Sequence, residues 1–277
     1  MSNAMRHSII AVALFFFAGT VLAVTGVSHA QERVEPDLLE ITEPLSPIDF
    51  DIRNGAGFRL QVNNFGFGAG AEYRRVLSRN RKMILEFQIG NVKDENEQTF
   101  QSNWGLSTIP NKYNRVMAFP LMLGVQQRFF ARTLSDNFRL FGQVSGGPSP
   151  AFVYPYYDHD RFGYGFRITQ GMVGVNVDPH YDPLEGWGDG EFILGAAGHL
   201  SIGANLGGDF GNIQTIRIGY FFHYFPNGIQ VMEPKMPGPG FDFLPVDELP
   251  DGALQPAAGK QSFFGTPHIT FVFGSMW

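Results

Sequence analysis

His199 and Ser201 are the residues of this chain whose types and spacing come nearest to catalytic chemistry. Two positions apart on an extended segment, they share a face, where the imidazole can take the hydroxyl proton and leave a nucleophilic oxygen. Glu191 or Asp209 would orient the ring, and the chemistry would be nucleophilic attack by the serine oxygen. A match of two residues arises cheaply by chance, and a lumen histidine held in a polar network is the preferred reading. A second group lies in 149–189: Asp158, His159 and Asp160, then Asp178, His180 and Asp182. Carboxylates two apart can bind Ca²⁺ through oxygen, or a transition metal with a histidine. Their spacing fits no standard Ca²⁺ loop, and Asp178-Pro179 and Asp182-Pro183 are ordinary turn formers. A solvated acidic external loop is expected here, with no cofactor. The aromatic residues of the same loop, Trp187 among them, suit a binding surface for a glycan or a protein.

Composition bounds what such residues can do. The 277 residues include 34 Gly and 28 Phe, and only 17% are charged, which speaks against a fold of long helices. An apolar content of 44% is enough to bury a core, so disorder is not expected. The absence of Cys excludes disulfides, thiolate metal sites, a Cys nucleophile and a lipidated N-terminal Cys. A net charge of −6 with no long basic run argues against nucleic acid as a partner. Gly66-x-Gly68 and Gly207-Gly208 are turn or barrel glycines rather than phosphate cradles, because no helix follows them.

The first thirty residues read as an export signal. Residues 1–4 look like an expression scar ahead of Met5. Arg6 and His7 form a positive start, Ile9 to Val27 is nearly all apolar, and Ser28-His29-Ala30 offers small residues for cleavage after Ala30. An uncleaved anchor is the competing reading. Gly19, Thr20, Thr25 and Gly26 weaken the second half of the run, and no basic cluster follows it. Residues 5–30 are therefore expected to be a cleaved signal peptide, and 31–51 an acidic periplasmic lead.

From residue 52 onward the dominant signal is alternation at period two, the pattern of strands. Phe67, Ala69, Ala71 and Tyr73, with Phe65 before them, oppose Gly68, Gly70, Glu72 and Arg74. Leu85, Phe87 and Ile89 oppose Glu86 and Gln88, and Phe138 and Val144 oppose Arg139 and Gln143. Leu194, Leu200 and Ile202 oppose His199 and Ser201, while Ile218, Tyr220 and Tyr224 oppose Arg217 and His223. A soluble barrel would turn its apolar face inward and show Lys, Glu and Thr to water. The polar faces here carry mostly Gly, Ser, Gln and Asn, with single charges, which suits the crowded lumen of a narrow transmembrane barrel. Glu72, Arg74, Glu86, Arg139, Arg217 and His223 are the expected lumen network. Tyr73, Phe129, Phe130, Tyr224, Phe225 and Trp277 are the expected interfacial girdles.

The fold predicted is an all-β, antiparallel up-and-down transmembrane barrel occupying 52–277. Its eight strands are 52–62, 65–76, 82–92, 113–130, 137–148, 190–207, 213–229 and 263–277. Three connections on one side are short, and on the other Asn63-Asn64 is joined by long external loops 93–112, 149–189 and 230–262. That is the asymmetry bacterial barrels show. One alternative keeps eight strands, with 57–76 as a single strand and 162–177 supplying the missing one; ten strands is a further alternative. The prolines of 230–262 stiffen that loop and keep it from extending the strand edge.

The last ten residues, His268-Ile269-Thr270-Phe271-Val272-Phe273-Gly274-Ser275-Met276-Trp277, resemble the terminal strand of bacterial outer-membrane proteins. In that class the last strand and its final aromatic are read by the barrel assembly machinery, which assigns that role to Phe271, Phe273 and Trp277. Most members end in Phe, where this chain has Trp277. Asn64-Phe65-Gly66-Phe67-Gly68, Asn91-Val92-Lys93-Asp94-Glu95 and Gly146-Gly147-Pro148-Ser149 with Tyr154-Pro155 resemble uncharacterised outer-membrane barrels of Bacteroidota. That similarity implies the fold and outer-membrane lipid as surroundings, and no activity. His199-Leu200-Ser201 is also similar to the His-x-Ser of outer-membrane lipid A deacylases. Alternation points this pair into the lumen, away from lipid. The function expected is non-enzymatic, surface binding or envelope organisation through the external loops. A lipid hydrolase, a small pore and a soluble periplasmic barrel are the alternatives.

Overall fold

A computed structural model of the chain describes residues 43–101, 107–159, 165–166, 184, 186–238 and 252–277. The signal segment 5–30 and the lead up to residue 42 lie outside the described residues. No described helix is long and apolar enough to cross a membrane. The wall is made of strands β1 Asn54–Asn63, β2 Gly66–Ser78, β3 Arg81–Val92, β4 in two segments Asn114–Ala118 and Leu121–Arg128, β5 Phe138–Pro155, β6 Glu191–Leu206, β7 Asn212–Ile229 and β8 Gln261–Met276. Each pairs antiparallel with the next. β8 closes on β1, with Gly55 opposite Met276 and Asn63 opposite His268. Closure removes every sheet edge, so the ladder satisfies the backbone without water. Pro120 has no N–H to donate and interrupts β4, yet the register to β3 resumes unchanged, Ala118 opposite Gly90 and Leu121 opposite Phe87.

The faces decide the solvent. Phe58, Leu60, Leu85, Leu123, Val144, Leu200, Ile218 and Phe273 all point outward, and Leu194 and Leu200 are 70% and 67% exposed. Arg59, Glu72, Arg74, Glu86, His199 and Arg217 point inward and are buried. Soluble monomers rarely expose contiguous apolar patches beyond a few hundred Å², whereas this wall is apolar on every strand. It is the face pattern of a barrel surrounded by lipid, not of a soluble one.

Both described ends of the lumen are closed. At the base, the end carrying Asn54 and Met276, Val76, Ile213, Val272 and Met276 pack with Ile48 and Ile52. The single turn Pro47–Phe50 brings Phe50 onto Phe210, ring centroids 5.5 Å apart, and Arg53 and Asn54 donate backbone N–H to the Trp277 carbonyl. At the mouth, Phe65, Val92, Val116, Ala151, Phe225 and Phe264 belong to one apolar cluster. The polar residues occupy the middle.

Several expectations need correction. The tight turn is Asn64-Phe65, not Asn63-Asn64, since Asn63 pairs with Gly66. Gly66 takes up the turn with φ +119, and Phe65 leaves the outward row to plug the mouth, 7% exposed. Two strands stand where the alternative had one strand over 57–76, and of 162–177 only 165–166 lie among the described residues. Phe225 is no girdle residue: it is 0% exposed and faces inward, as its spacing of two from His223 requires. β5 runs to Pro155, so the external loop begins at 156 rather than 149. The Gly and Pro of 146–150 suggested a turn, but Gly147 lets β4 approach closely, a Cβ there falling 2.2 Å from the Leu121 carbonyl oxygen. Within 230–262, Lys235–Pro237 pairs with Leu254–Pro256, and β8 begins at Gln261. Of the expected lead 31–51, the described part from residue 43 reaches the base, where Ile48 packs on the apolar cluster.

Gly203 shows how the lumen is filled. A Cβ there would fall 2.7 Å from Arg217 Cγ and 2.5 Å from the Ile216 carbonyl oxygen. Gly203→Val is expected to displace the Arg217 side chain and cost about 1–3 kcal/mol, read as an earlier urea midpoint in lipid vesicles. An unchanged midpoint would mean the lumen has slack at this level.

Candidate functional site

The densest chemistry lies in the middle of the lumen. Glu72 on β2 stands directly opposite Glu86 on β3 in the ladder. Like charges so placed repel, and three arginines answer them. Arg217, from β7, donates through Nη2 to Glu72 and through Nη1 to Glu86, the latter at 2.8 Å. Arg74 donates through Nε to the other Glu72 oxygen and reaches Asn205 and Thr215 at 3.0 and 3.1 Å. Arg59 lies 3.3 Å from Glu86 and donates to Gln61 at 3.0 Å. Gln143 donates to Glu86 at 2.9 Å while its carbonyl accepts from Arg217 at 2.6 Å. His199 Nε2 donates to Glu86 at 2.7 Å.

The structure thus brings together Glu72, Arg74, Glu86 and Arg217 from the expected network. It does not bring in Arg139 or His223. Arg139 sits at the base, donating to the Asp136 carbonyl at 2.8 Å with its guanidinium 4.4 Å from the Phe210 ring centre. His223 sits nearer the mouth, its Nδ1 2.9 Å from Ser149 Oγ, between the Phe221 and Phe225 rings. Arg59, Gln61, Gln143 and His268 join the lumen group without having been singled out. The signal was present for Arg59, which alternates with Phe58 and Leu60.

His199 and Ser201 both face the lumen and are buried. No hydrogen bond joins them: the imidazole is committed to Glu86, and Ser201 Oγ has no partner among the described residues. A nucleophile so enclosed has no contact with lipid. Asp158 and His159 lie on a two-residue strand opposite Gly165–Phe166. Asp160, Asp178, His180 and Asp182 lie outside the described residues. Among the described residues no three His, Asp or Glu converge as metal ligands would. Phe273 and Trp277 are exposed on the outer wall, and Phe271 is half-buried on the same face.

The mouth is the other shaped surface. Lys112 and Glu97 form an ion pair of 2.7 Å, both side chains buried, and Lys112 and Arg115 lie over the Tyr156 ring. Burial pulls the Lys112 ammonium below the ordinary lysine range, against the opposing pull of Glu97. Backbone bonds from Tyr113 and Asn114 to Val231, and from Glu233 to Asn111, tie the first long loop to the third. Beside them opens a cleft of about 490 Å³, within the usual size of small-ligand sites, lined by Lys93, Glu95, Thr99, Tyr220, Gln261 and Phe263 among others. Outside the wall, Phe152, Tyr154, Trp187 and Phe192 form an aromatic group, Phe152 and Phe192 being 5.0 Å apart. With Phe130, Phe138 and Trp277 exposed toward the base, the wall carries an aromatic belt at each end.

No protein-family model matches the chain, and no curated protein is similar to it. Among solved structures it is similar to Neisserial surface protein A, at 6% identity over 82% of this chain and 96% of that one, with a TM-score of 0.33. It is also similar to Ail, the attachment invasion locus protein of Yersinia pestis, solved with the heparin analogue sucrose octasulfate. There the identity is 9% over 80% of this chain and 96% of that one, with a TM-score of 0.32. Likeness at this level bears on no function, and the barrel described above stands on its own strand pairing.

Proposed function

We propose that the chain is a bacterial outer-membrane barrel of non-enzymatic role, which binds a surface ligand or organises the envelope through the loops at its mouth. The observation that carries this is the inverted wall around a filled lumen. Lipid covers the outside and side chains occupy the inside, so recognition falls to the mouth, where tied loops frame the cleft beside Lys93 and Glu95. Export by a signal peptide cleaved after Ala30, and delivery to the assembly machinery through Phe271, Phe273 and Trp277, complete the proposal. The short motifs from Asn64 to Pro155 support an affiliation with the Bacteroidota barrels. A closed lumen disfavours a pore, and the separation of His199 from Ser201 disfavours a hydrolase.

Gel mobility of the detergent-extracted protein, boiled against unboiled, tests the barrel in its membrane. A heat-dependent shift is expected, and identical mobility with release into the aqueous fraction would reject the reading. Ligand binding is tested on glycan and matrix-protein arrays. Wild type is expected to retain a ligand that the Tyr220→Ala and Glu95→Ala double variant loses. No retention on either array would reject surface binding. Fatty-acid release from lipid that is abolished by His199→Ala and Ser201→Ala would restore the hydrolase.

A further inference from the structure

We propose that the lumen holds one small monovalent anion, of halide size, between Arg59, Gln61 and His268. The first observation is a charge count. Arg59, Arg74 and Arg217 face only Glu72 and Glu86 among the described residues of the middle lumen, all five buried. An uncompensated charge inside a protein costs several kcal/mol unless it is paired.

The carboxylate oxygens are already taken. Glu72 serves Arg74 and Arg217, one oxygen each. Glu86 gives one oxygen to Arg217 and Gln143, and the other to His199 at 2.7 Å, leaving Arg59 the longest contact at 3.3 Å. Arg59 therefore carries the excess charge.

The second observation is where buried polar atoms go unpartnered. Arg59 Nε, Gln61 Nε2, Ser201 Oγ and both His268 nitrogens have no hydrogen bond, and Arg59 Nη1 has only its 3.3 Å ion-pair contact with Glu86. These residues are neighbours. Gln61 lies two positions along β1 from Arg59, and its carbonyl oxygen already accepts from Arg59 and from Thr270. Its amide N–H groups are thus the free end. His268 and Ser201 stand on either side of Gly219 in one hydrogen-bonded row, and Gly219 puts no side chain between them. The His268 ring centre is 5.5 Å from that of His199, which places it beside the Glu86 end of the network.

A guanidinium, a carboxamide, a hydroxyl and an imidazole N–H all donate, around a surplus of one positive charge. Water would satisfy the donors but not the charge. A divalent oxyanion would overcompensate the single surplus charge. A single halide answers both requirements.

The test is made on protein refolded from urea into detergent, because a closed lumen takes up its ion as it folds. Refolding is carried out in chloride, bromide, gluconate or sulfate at equal ionic strength, and the temperature of the gel-mobility shift is measured. Chloride and bromide are expected to raise that temperature by several degrees over gluconate and sulfate, since a ligand bound to the folded state alone stabilises it. Arg59→Met, which removes the surplus charge, is expected to abolish the halide dependence, while Arg139→Met keeps it. Crystals of wild type grown from bromide are expected to show anomalous scattering between Arg59, Gln61 and His268, a result that stands even where a variant fails to fold. Equal midpoints in all four salts, or bromide scattering only outside the lumen, would overturn the proposal.

Discussion

Arg217→Met is expected to cost about 3–5 kcal/mol of barrel stability, the loss seen when one partner of a buried ion pair is removed. The cause is specific to this lumen. Glu72 and Glu86 face each other across the β2–β3 ladder, and Arg217 bridges both carboxylates at once. Without it, two buried like charges share one level of the wall. Arg217→Lys is expected to recover only part of the loss, because one ammonium cannot reproduce the two-pronged contact of a guanidinium. Glu72→Gln combined with Arg217→Met should cost less than the sum of the single changes, with a coupling of about 0.5–3 kcal/mol. Urea unfolding in lipid vesicles, followed by Trp fluorescence and gel mobility, measures all four. A wild-type midpoint for Arg217→Met would show that the bridge contributes nothing.

Leu200→Arg is expected to destabilise the barrel by about 2–4 kcal/mol, the cost of a cation on the lipid face near mid-membrane. Leu200 lies on the outer face of β6, between Phe192 toward the mouth and Leu206 toward the base, with its side chain fully out of the lumen. Gln214→Arg, on the outer face of β7 near the base, is expected to cost about 0–1 kcal/mol, because a charge near the interface can reach water. The contrast is diagnostic. On a water-soluble barrel both positions are plain surface sites, and both changes would fall within about 0.5 kcal/mol of zero. Equal and small effects in lipid vesicles would therefore remove the membrane assignment.

Much of the architecture was legible because a strand's side-chain period is two whatever surrounds it. Leu194, Leu200 and Ile202 on one face, and His199 and Ser201 on the other, follow from spacing alone. Errors arose where a local rule met a tertiary demand. Phe65 continues the row of Phe67, Ala69 and Ala71, yet it belongs to the turn and caps the mouth. Gly146 to Pro150 carries turn residues but lies inside β5, where close strand approach needs a small residue at Gly147. Phe225 was assigned by its aromatic type beside Tyr224, although its spacing from His223 already placed it inside. Arg59 follows the same alternation through β1, between Phe58 and Leu60.

What the sequence determined by itself was the strand content, the inverted faces and the residues available to the lumen, while eight strands rather than ten follows from the closed ladder. The first three follow from local pattern, because polarity and spacing along one strand decide which side chains share a face. The tertiary structure decided which of those side chains meet. Arg217 is 145 residues from Glu72 and 131 from Glu86, and nothing in the spacing of β7 selects that pair. Stagger around the barrel is set only when β8 closes on β1 and all eight strands adopt one consistent shear. The tight β2–β3 turn places Glu72 opposite Glu86, and closure sends Arg217 across to both and leaves Arg139 and His223 at other levels of the same lumen.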